Sequence, residues 1–311
     1  MVENLSKFIA PLVSATGVGY FEEGAFYLET QFAVLVVENC GVPIDKMAFK
    51  AQDIHNALKK FGDGIVTMTD NAVVFSKGRS RLTVIPIAHT HKPLPGIISF
   101  LPLPGKFYPG LEVCTFNGNR SPYSGIYMDD FDMIATDGQK MCFCDLDAPM
   151  DKIWISDASA KLIQQYAFTE YHSGPEYLTL QGGGCRLAVK KLRADVYPVH
   201  KLLPLKQMTG AFEKTPVGIE EALKNALYTA VEDGIAKIHL TFKDNSVTVI
   251  SDKRTGTYEE TIEGMPLEGS FIGLYKHLQS IKDGDTIALG GPYLYIKRTD
   301  ELIVITGMRQ V

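Results

Sequence analysis

One pattern recurs three times along the 311 residues, and it constrains the fold more tightly than composition can. Across residues 50–85, Ile54, Leu58 and Phe61 share one face of a short amphipathic helix. A Gly-Asp-Gly break follows, then strands at 65–69, 72–76 and 81–85, the first two joined by an Asp-Asn turn. Residues 157–197 repeat the plan: helix SAKLIQQYAF, strand EYLTL, a Gly182-Gly183-Gly184 turn, strand CRLAV and a basic turn. Residues 270–306 repeat it again: helix GLYKHLQSI, a KDGD break, and strands TIALGG, YLYIK and LIVIT. Ile54, Ile163 and Leu274 hold equivalent places, roughly 110 residues apart, so three units fill the chain.

Each unit also has a less regular first half. In the third, Ile219, Leu223, Ala226, Leu227 and Ala230 predict a helix over 217–230, followed by a hairpin KIHLTFKDNSVTVISD turning at Asp-Asn. The first offers a helix over 2–15 and an extended AFYLETQFAVLVVEN. The second offers a poor helix over 107–116, interrupted by Pro109 and Gly110, then strands GIYMDD, FDMIAT and MCFCDL. Pro-rich or loop-like stretches at 89–96 and 204–210 separate the units. The expected domains are 1–91, 92–205 and 206–311.

Composition narrows the class. Apolar residues at 45% and charged residues at 22% suit a globular chain and exclude collagen-like, disordered and disulfide-dense ones. Apolar runs such as 32–37 fall far short of the roughly 18–20 residues of a membrane helix. An acid in Met-Val-Glu-Asn-Leu argues against a targeting segment, and five irregularly spaced cysteines suit a reducing cytoplasm. With 31 Lys and Arg against 36 Asp and Glu, the net charge is −5. Any grip on nucleic acid must then use a local basic surface on an acidic body.

Catalytic signatures are missing: there is no Walker loop, GxSxG or HExxH string. The triple glycine could cradle a phosphate, but no helix follows it, and a hairpin turn is expected. Cys142 and Cys144 share a strand face and are read as two partly buried thiols rather than zinc ligands. His89 and His91 sit in a loop where a metal is unexpected. Asp129, Asp130 and Asp132 leave a metal-dependent nuclease as a rival reading. Catalytic residues, metal and cofactor are each expected to be none.

The helices are more informative. Lys50, Lys59 and Lys60 stand against one acid, Asp53, on the second helix of the first unit. Lys161 stands alone on its counterpart in the second, and Lys276 and Lys282 flank His277 in the third. The acids gather instead on strands and turns, at Glu22, Glu23, Glu259, Glu260, Glu263 and Glu268. A basic face recurring on the same helix would touch phosphates without reading bases.

At this point the chain resembles a family. Ala135-Thr136-Asp137-Gly138-Gln139-Lys140-Met141 is similar to the A-T-D-G-H-R-L of the bacterial DNA polymerase III β subunit, the DNA sliding clamp. Lys77-Gly78-Arg79-Ser80-Arg81 is similar to its S-G-R-S-R-F. Tyr197-Pro198 through Leu202-Leu203-Pro204 resembles F-P-D-Y-R-R-V-L-P, one residue short, and Val304-Ile305-Thr306-Gly307-Met308-Arg309 resembles V-V-M-P-M-R. Gln139, Lys140, Thr306 and Gly307 depart from the pattern, as does the Gln310-Val311 tail, which suggests a divergent member of bacterial or phage origin.

The resemblance implies an α+β fold of three similar helix–strand–helix–strand domains. Two chains would close into a homodimeric ring, helices inside and sheets outside. It implies a non-catalytic processivity factor in the cytoplasm of a bacterial or phage-infected cell. Such a factor encircles double-stranded DNA without sequence preference and engages a DNA polymerase and a clamp loader, with no membrane partner. Lys50 matches a basic family position, so Lys50, Lys59, Lys60, Lys161, Lys276 and Lys282 are expected to face DNA. The partner-peptide pocket carries over to Thr136, Gly138, Lys140, Met141, Pro198, Lys201, Leu202, Val304, Thr306, Met308 and Arg309. Met141, Leu202, Val304 and Met308 would form an adaptable apolar floor. A non-encircling DNA-binding scaffold is the second rival.

Overall fold

The computed structural model describes residues 2–13, 17–62, 64–69, 71–89, 99–116, 122–207, 211–232, 235–253 and 256–308. Two compact units emerge: Met1–Tyr108 with Met150–Ala194, and Pro109–Pro149 with Asp195–Val311.

The chain begins with helix α1 (Val2–Ile9), shorter than expected. Pro11 has no N–H to continue the helical ladder, and a 3-10 turn takes over at Ala10–Leu12. Strands β1 (Val18–Glu22), β2 (Ala25–Glu29), β3 (Ala33–Val37) and β4 (Met47–Lys50) follow. The expected single extended stretch is thus two strands, β2 and β3. Glu23 and Gly24 between β1 and β2 both have positive φ, 50° and 78°, as a two-residue hairpin turn requires. Phe21, Phe26, Leu28 and Leu35 alternate inward and are fully buried.

Helix α2 (Ala51–Phe61) buries Ala51, Ile54, Ala57, Leu58 and Phe61, as the periodicity requires. It packs against α1. Strands β5 (Ile65–Thr69), β6 (Ala72–Lys77) and β7 (Ser80–Val84) form a separate three-stranded sheet within a residue of the expected positions. Next come β8 (Leu101–Pro102) and helix α3 (Phe107–Cys114). Contrary to expectation, α3 is continuous. Pro109 is its third residue, where no intrahelical acceptor awaits an N–H. A Cβ on Gly110 would stand 2.9 Å from Met133 Sδ and 3.2 Å from Cys144 Sγ, so the glycine permits close packing.

Strand β9 (Ile126–Thr136) replaces the two strands expected there, absorbing an irregularity at Asp130, whose φ is 54°. Strand β10 (Lys140–Ile155) is 16 residues long. Helix α4 (Asp157–Ile163), capped by Ser156, ends earlier than expected. It leads to β11 (Glu170–Ser173), β12 (Tyr177–Gly182) and β13 (Cys185–Lys190). The triple glycine is the β12–β13 turn, with Gly183 and Gly184 at φ 61° and 84°. In the first unit, β4-β1-β2-β3-β13-β12-β11-β8 make one antiparallel sheet, closed in its middle by β3 against β13.

The remaining elements are α5 (Val199–Lys206), β14 (Glu213–Lys214), α6 (Ile219–Ala230), β15 (Val231–Glu232), β16 (Ile235–Lys243), β17 (Ser246–Lys253) and β18 (Gly256–Glu263). They are followed by β19 (Gly269–Leu274), α7 (Tyr275–Leu278), β20 (Thr286–Gly290), β21 (Tyr293–Lys297) and β22 (Glu301–Thr306). Asp244 and Asn245 turn the β16–β17 hairpin, both left-handed. The second unit holds a sheet ordered β14-β20-β21-β22-β10-β9 and another of β15-β16-β17-β18 with β19 beside β16. The last helix was expected over 273–281. It is a single turn, because β19 claims the residues up to Leu274.

Candidate partner-peptide face and basic surfaces

The Thr136–Lys140 segment turns β9 into β10, and its polar groups are spent on that turn. Thr136 Oγ1 accepts from Gly138 N (3.0 Å) and donates to the Lys140 carbonyl (3.1 Å). Asp137 Oδ1 accepts from Gln139 N (2.9 Å) and Lys140 N (2.7 Å). Gly138 has φ 91°, a conformation that strains residues bearing a Cβ. Thr136, expected as a polar wall, is therefore buried inside the hairpin at 3% exposure.

Two residues outside the expected set complete this turn. Asp137 Oδ2 lies 3.0 Å from Nε2 of His277, which is 3% exposed on α7. Burial pushes the Asp137 carboxyl up, but the His277 contact and the two backbone donors outweigh it and hold the pKa at about 2. Thr306 N donates to the Gln139 carbonyl (2.7 Å), tying the turn to β22.

Register then sorts the side chains. Met141 pairs with Val304 and Val304 with Tyr295, so these three form a row across one face. Thr306 pairs with Tyr293 in the next row, and the two tyrosine rings stand 6.1 Å apart, edge to face. Val304 is fully buried and Met141 5% exposed, while Thr306, Tyr293 and Met308 are half-buried. Met308 N donates to the Ile272 carbonyl (2.8 Å). Arg309 lies outside the described residues.

Helix α5 is fastened along this face. Lys206 bonds Asp132 on β9 and Asp145 on β10, and Asp145 shares its strand face with Met141 and Phe143. Tyr197 stacks on Tyr127 at 4.9 Å and donates to the Ile134 carbonyl. Pro198 caps α5 half-buried, Lys201 is exposed and Leu202 is 8% exposed. A cleft of about 190 Å³ continues the face past Phe143, Phe212, Lys297 and Leu302.

Lys140 does not join them. Adjacent strand residues point to opposite faces, and Lys140 points away from Met141. Its Nζ donates to Ser280 Oγ (2.7 Å) and lies 5.3 Å from the Phe116 ring centre. That separates it from the Met141 row, and strand alternation alone could have shown it. The signal for Tyr293 and Tyr295 was equally available, as alternate aromatics on a strand.

The six lysines expected at DNA are all exposed. Lys59 and Lys60 share the outer face of α2 with Gln52, Asp53 and Asn56. Lys50 is not helical: it ends β4 with φ −62° and ψ 132° and stands at the N-cap of α2. Lys161 is on α4 and Lys276 on α7. Lys282 follows α7, with its Nζ 2.8 Å from Glu220 Oε1.

No family model matches the sequence, and no curated protein is significantly similar to it. Solved structures do match along the whole chain. The DNA polymerase III β subunit of Thermotoga maritima superposes with a TM-score of 0.81 at 11% identity, covering 100% of this chain and 97% of its own. A sliding clamp from Bartonella birtlesii, solved with griselimycin bound, gives 0.80 at 13%, covering 99% and 98%. The β subunit of Pseudomonas aeruginosa gives 0.76 at 14%, with the same coverage. The fold is that of the DNA sliding clamp.

Within this clamp fold the three aspartates do not converge. Asp129 accepts from Tyr127 (2.8 Å), Asp132 is bound by Lys206, and Asp130 is exposed at the strand irregularity. Among the described residues no three His, Cys, Asp or Glu side chains gather as a metal site. Cys142 and Cys144 are buried, more deeply than expected, beside a third buried thiol, Cys114. Burial pushes Cys142 up to about 12, which leaves it a packing residue. His89 meets Glu29 at 3.3 Å, and His91 lies outside the described residues.

Proposed function

We propose that this chain is a DNA sliding clamp, a processivity factor that tethers a replicative polymerase to duplex DNA. The observation that carries the reading is the clamp fold matched over the full chain. The reading takes 1–91, 92–205 and 206–311 as the three clamp domains, with two chains closing head to tail.

Two free sheet edges suit that closure. Strand β7 is an edge with Arg81 exposed, and Arg79 is exposed on the turn before it. Strand β18 is an edge with Glu259 and Glu263 exposed. A basic edge and an acidic edge on one chain favour a head-to-tail contact, which would also cover edges otherwise open to aggregation. Lys50, Lys59, Lys60, Lys161, Lys276 and Lys282 then meet phosphates, weakly and without sequence preference, because encirclement supplies retention.

The client peptide is assigned to the Met141–Val304–Tyr295 face, with Thr306, Met308, Pro198 and Leu202 at its margins and Lys201 and Arg309 meeting its polar groups. Methionine and tyrosine there give an apolar surface that can reshape around different peptides. No described helix is long and apolar enough to cross a membrane. A cytoplasmic site of action and loading by a clamp loader complete the proposal.

The test joins native mass to retention. The protein should run as two chains, stay on nicked circular DNA once loaded, and slide off when the circle is cut. Met141→Ala with Met308→Ala should keep both properties and lose polymerase stimulation. A monomer retained equally on linear and circular DNA would support the non-encircling scaffold instead.

A further inference from the structure

We infer that Lys140 serves the nucleic-acid surface, as the cation of a cleft that receives a backbone phosphate of duplex DNA. The inference rests on the clamp reading and deepens it. The cleft holds about 440 Å³ and is lined by Glu112, Thr115, Lys140, Ser280, Lys282 and Arg298, among others. It lies on the opposite side of β10 from Met141, and it shares Lys282 with the lysines already assigned to DNA.

Charge accounting singles out Lys140 among the three cations. Arg298 is held by Asp285 through Nε (2.8 Å) and Nη2 (3.0 Å), and by Glu301 through Nη1 (3.3 Å). Lys282 is paired with Glu220. Lys140 is held instead by neutral groups, the Ser280 hydroxyl and the Phe116 ring. An ammonium has three donors, and one is used on Ser280, so the charge and two donors remain for an anion. Two acids on the cleft wall oppose an anion there: Glu112, which is exposed, and Glu301, which is engaged by Arg298.

The cation is also pre-positioned. Lys140 N donates to Asp137 Oδ1 (2.7 Å), its carbonyl accepts from Asp137 N (3.0 Å) and Thr136 Oγ1 (3.1 Å), and Asp137 is pinned by His277. A side chain already placed by neutral contacts loses little freedom on meeting a phosphate. One lysine carries no base information, which suits a surface that slides.

The test uses the full-length protein and a fluorescent duplex of about 30 base pairs, titrated at about 50 to 200 mM salt. Lys140→Gln retains a donor to Ser280 but removes the charge. It should lower the slope of log K against log salt by about one, while native mass is unchanged. Lys140→Arg should keep the wild-type slope, and Glu112→Gln should tighten binding. Wild-type affinity and slope in Lys140→Gln would overturn the inference alone, as would loss of polymerase stimulation in that variant at an unchanged slope. Failure of Lys140→Arg to keep the slope, or weaker binding by Glu112→Gln, would also count against it. No salt-dependent binding by the wild type would remove the clamp reading and this inference together.

Discussion

Helices α2 and α7 open the second half of the first and third repeats, yet they are held in place by different means. Helix α2 has 11 residues and buries five of them at helical spacing, so its position follows from its own pattern. Helix α7 is one turn of four residues, too short to be stable by itself. It buries Leu278, and side chains 140 residues away add polar anchors: Asp137 meets His277, and Lys140 meets Ser280 just beyond the helix. A repeat can therefore keep its plan while one element leans on distant polar contacts beside its own buried residue.

Three substitutions can break or sharpen that contrast. The largest effect is expected from Ile54→Ala, which opens a cavity beneath α2 and should cost about 2–5 kcal/mol, read from the urea midpoint. A cost below 1 kcal/mol would mean α2 does not depend on its buried stripe.

His277→Ala should cost about 1–3 kcal/mol, because it leaves the Asp137 carboxylate without its partner. The pH dependence has a defined sign. Asp137 sits at about 2 in the folded protein, below its ordinary value, so its stabilisation is full above the unfolded pKa of about 4. It fades as pH falls through 2. The gap between wild type and His277→Ala should accordingly close across that acid range; a gap constant down to pH 2 would detach His277 from the Asp137 titration.

The smallest change is Ser280→Ala, expected to cost about 0.5–1.5 kcal/mol. Hydrogen exchange at the α7 amides should speed up more than at those of α2. Equal changes in both helices would erase the distinction between them.

The same contrast explains what could be read beforehand. Helix α2, the three strands after it and the turns at Gly183-Gly184 and Asp244-Asn245 were legible, because periodicity and left-handed turn residues are local signals. The long β10, the merged β9 and the single turn of α7 were not, since each depends on which distant strand pairs with which. Met141 and Val304, expected together in one apolar floor, pair in register across β10 and β22. Lys140 was grouped with them by motif, though its position beside Met141 already put it on the other face. The contact of Asp137 with His277 was not foreseen, because it joins residues with no shared sequence pattern.

The pairing of β3 with β13 has a consequence for synthesis. Leu35 meets Leu187, so the first sheet closes only after about 150 further residues have been made. Until then a nascent chain carries β1 to β4 as a half-sheet whose β3 edge, Ala33–Val37, is almost wholly apolar. Such an edge invites pairing between neighbouring chains on one message. Slow translation past Lys190 would lengthen no danger, whereas a pause between β4 and β13 would, and chaperone demand should concentrate on that interval.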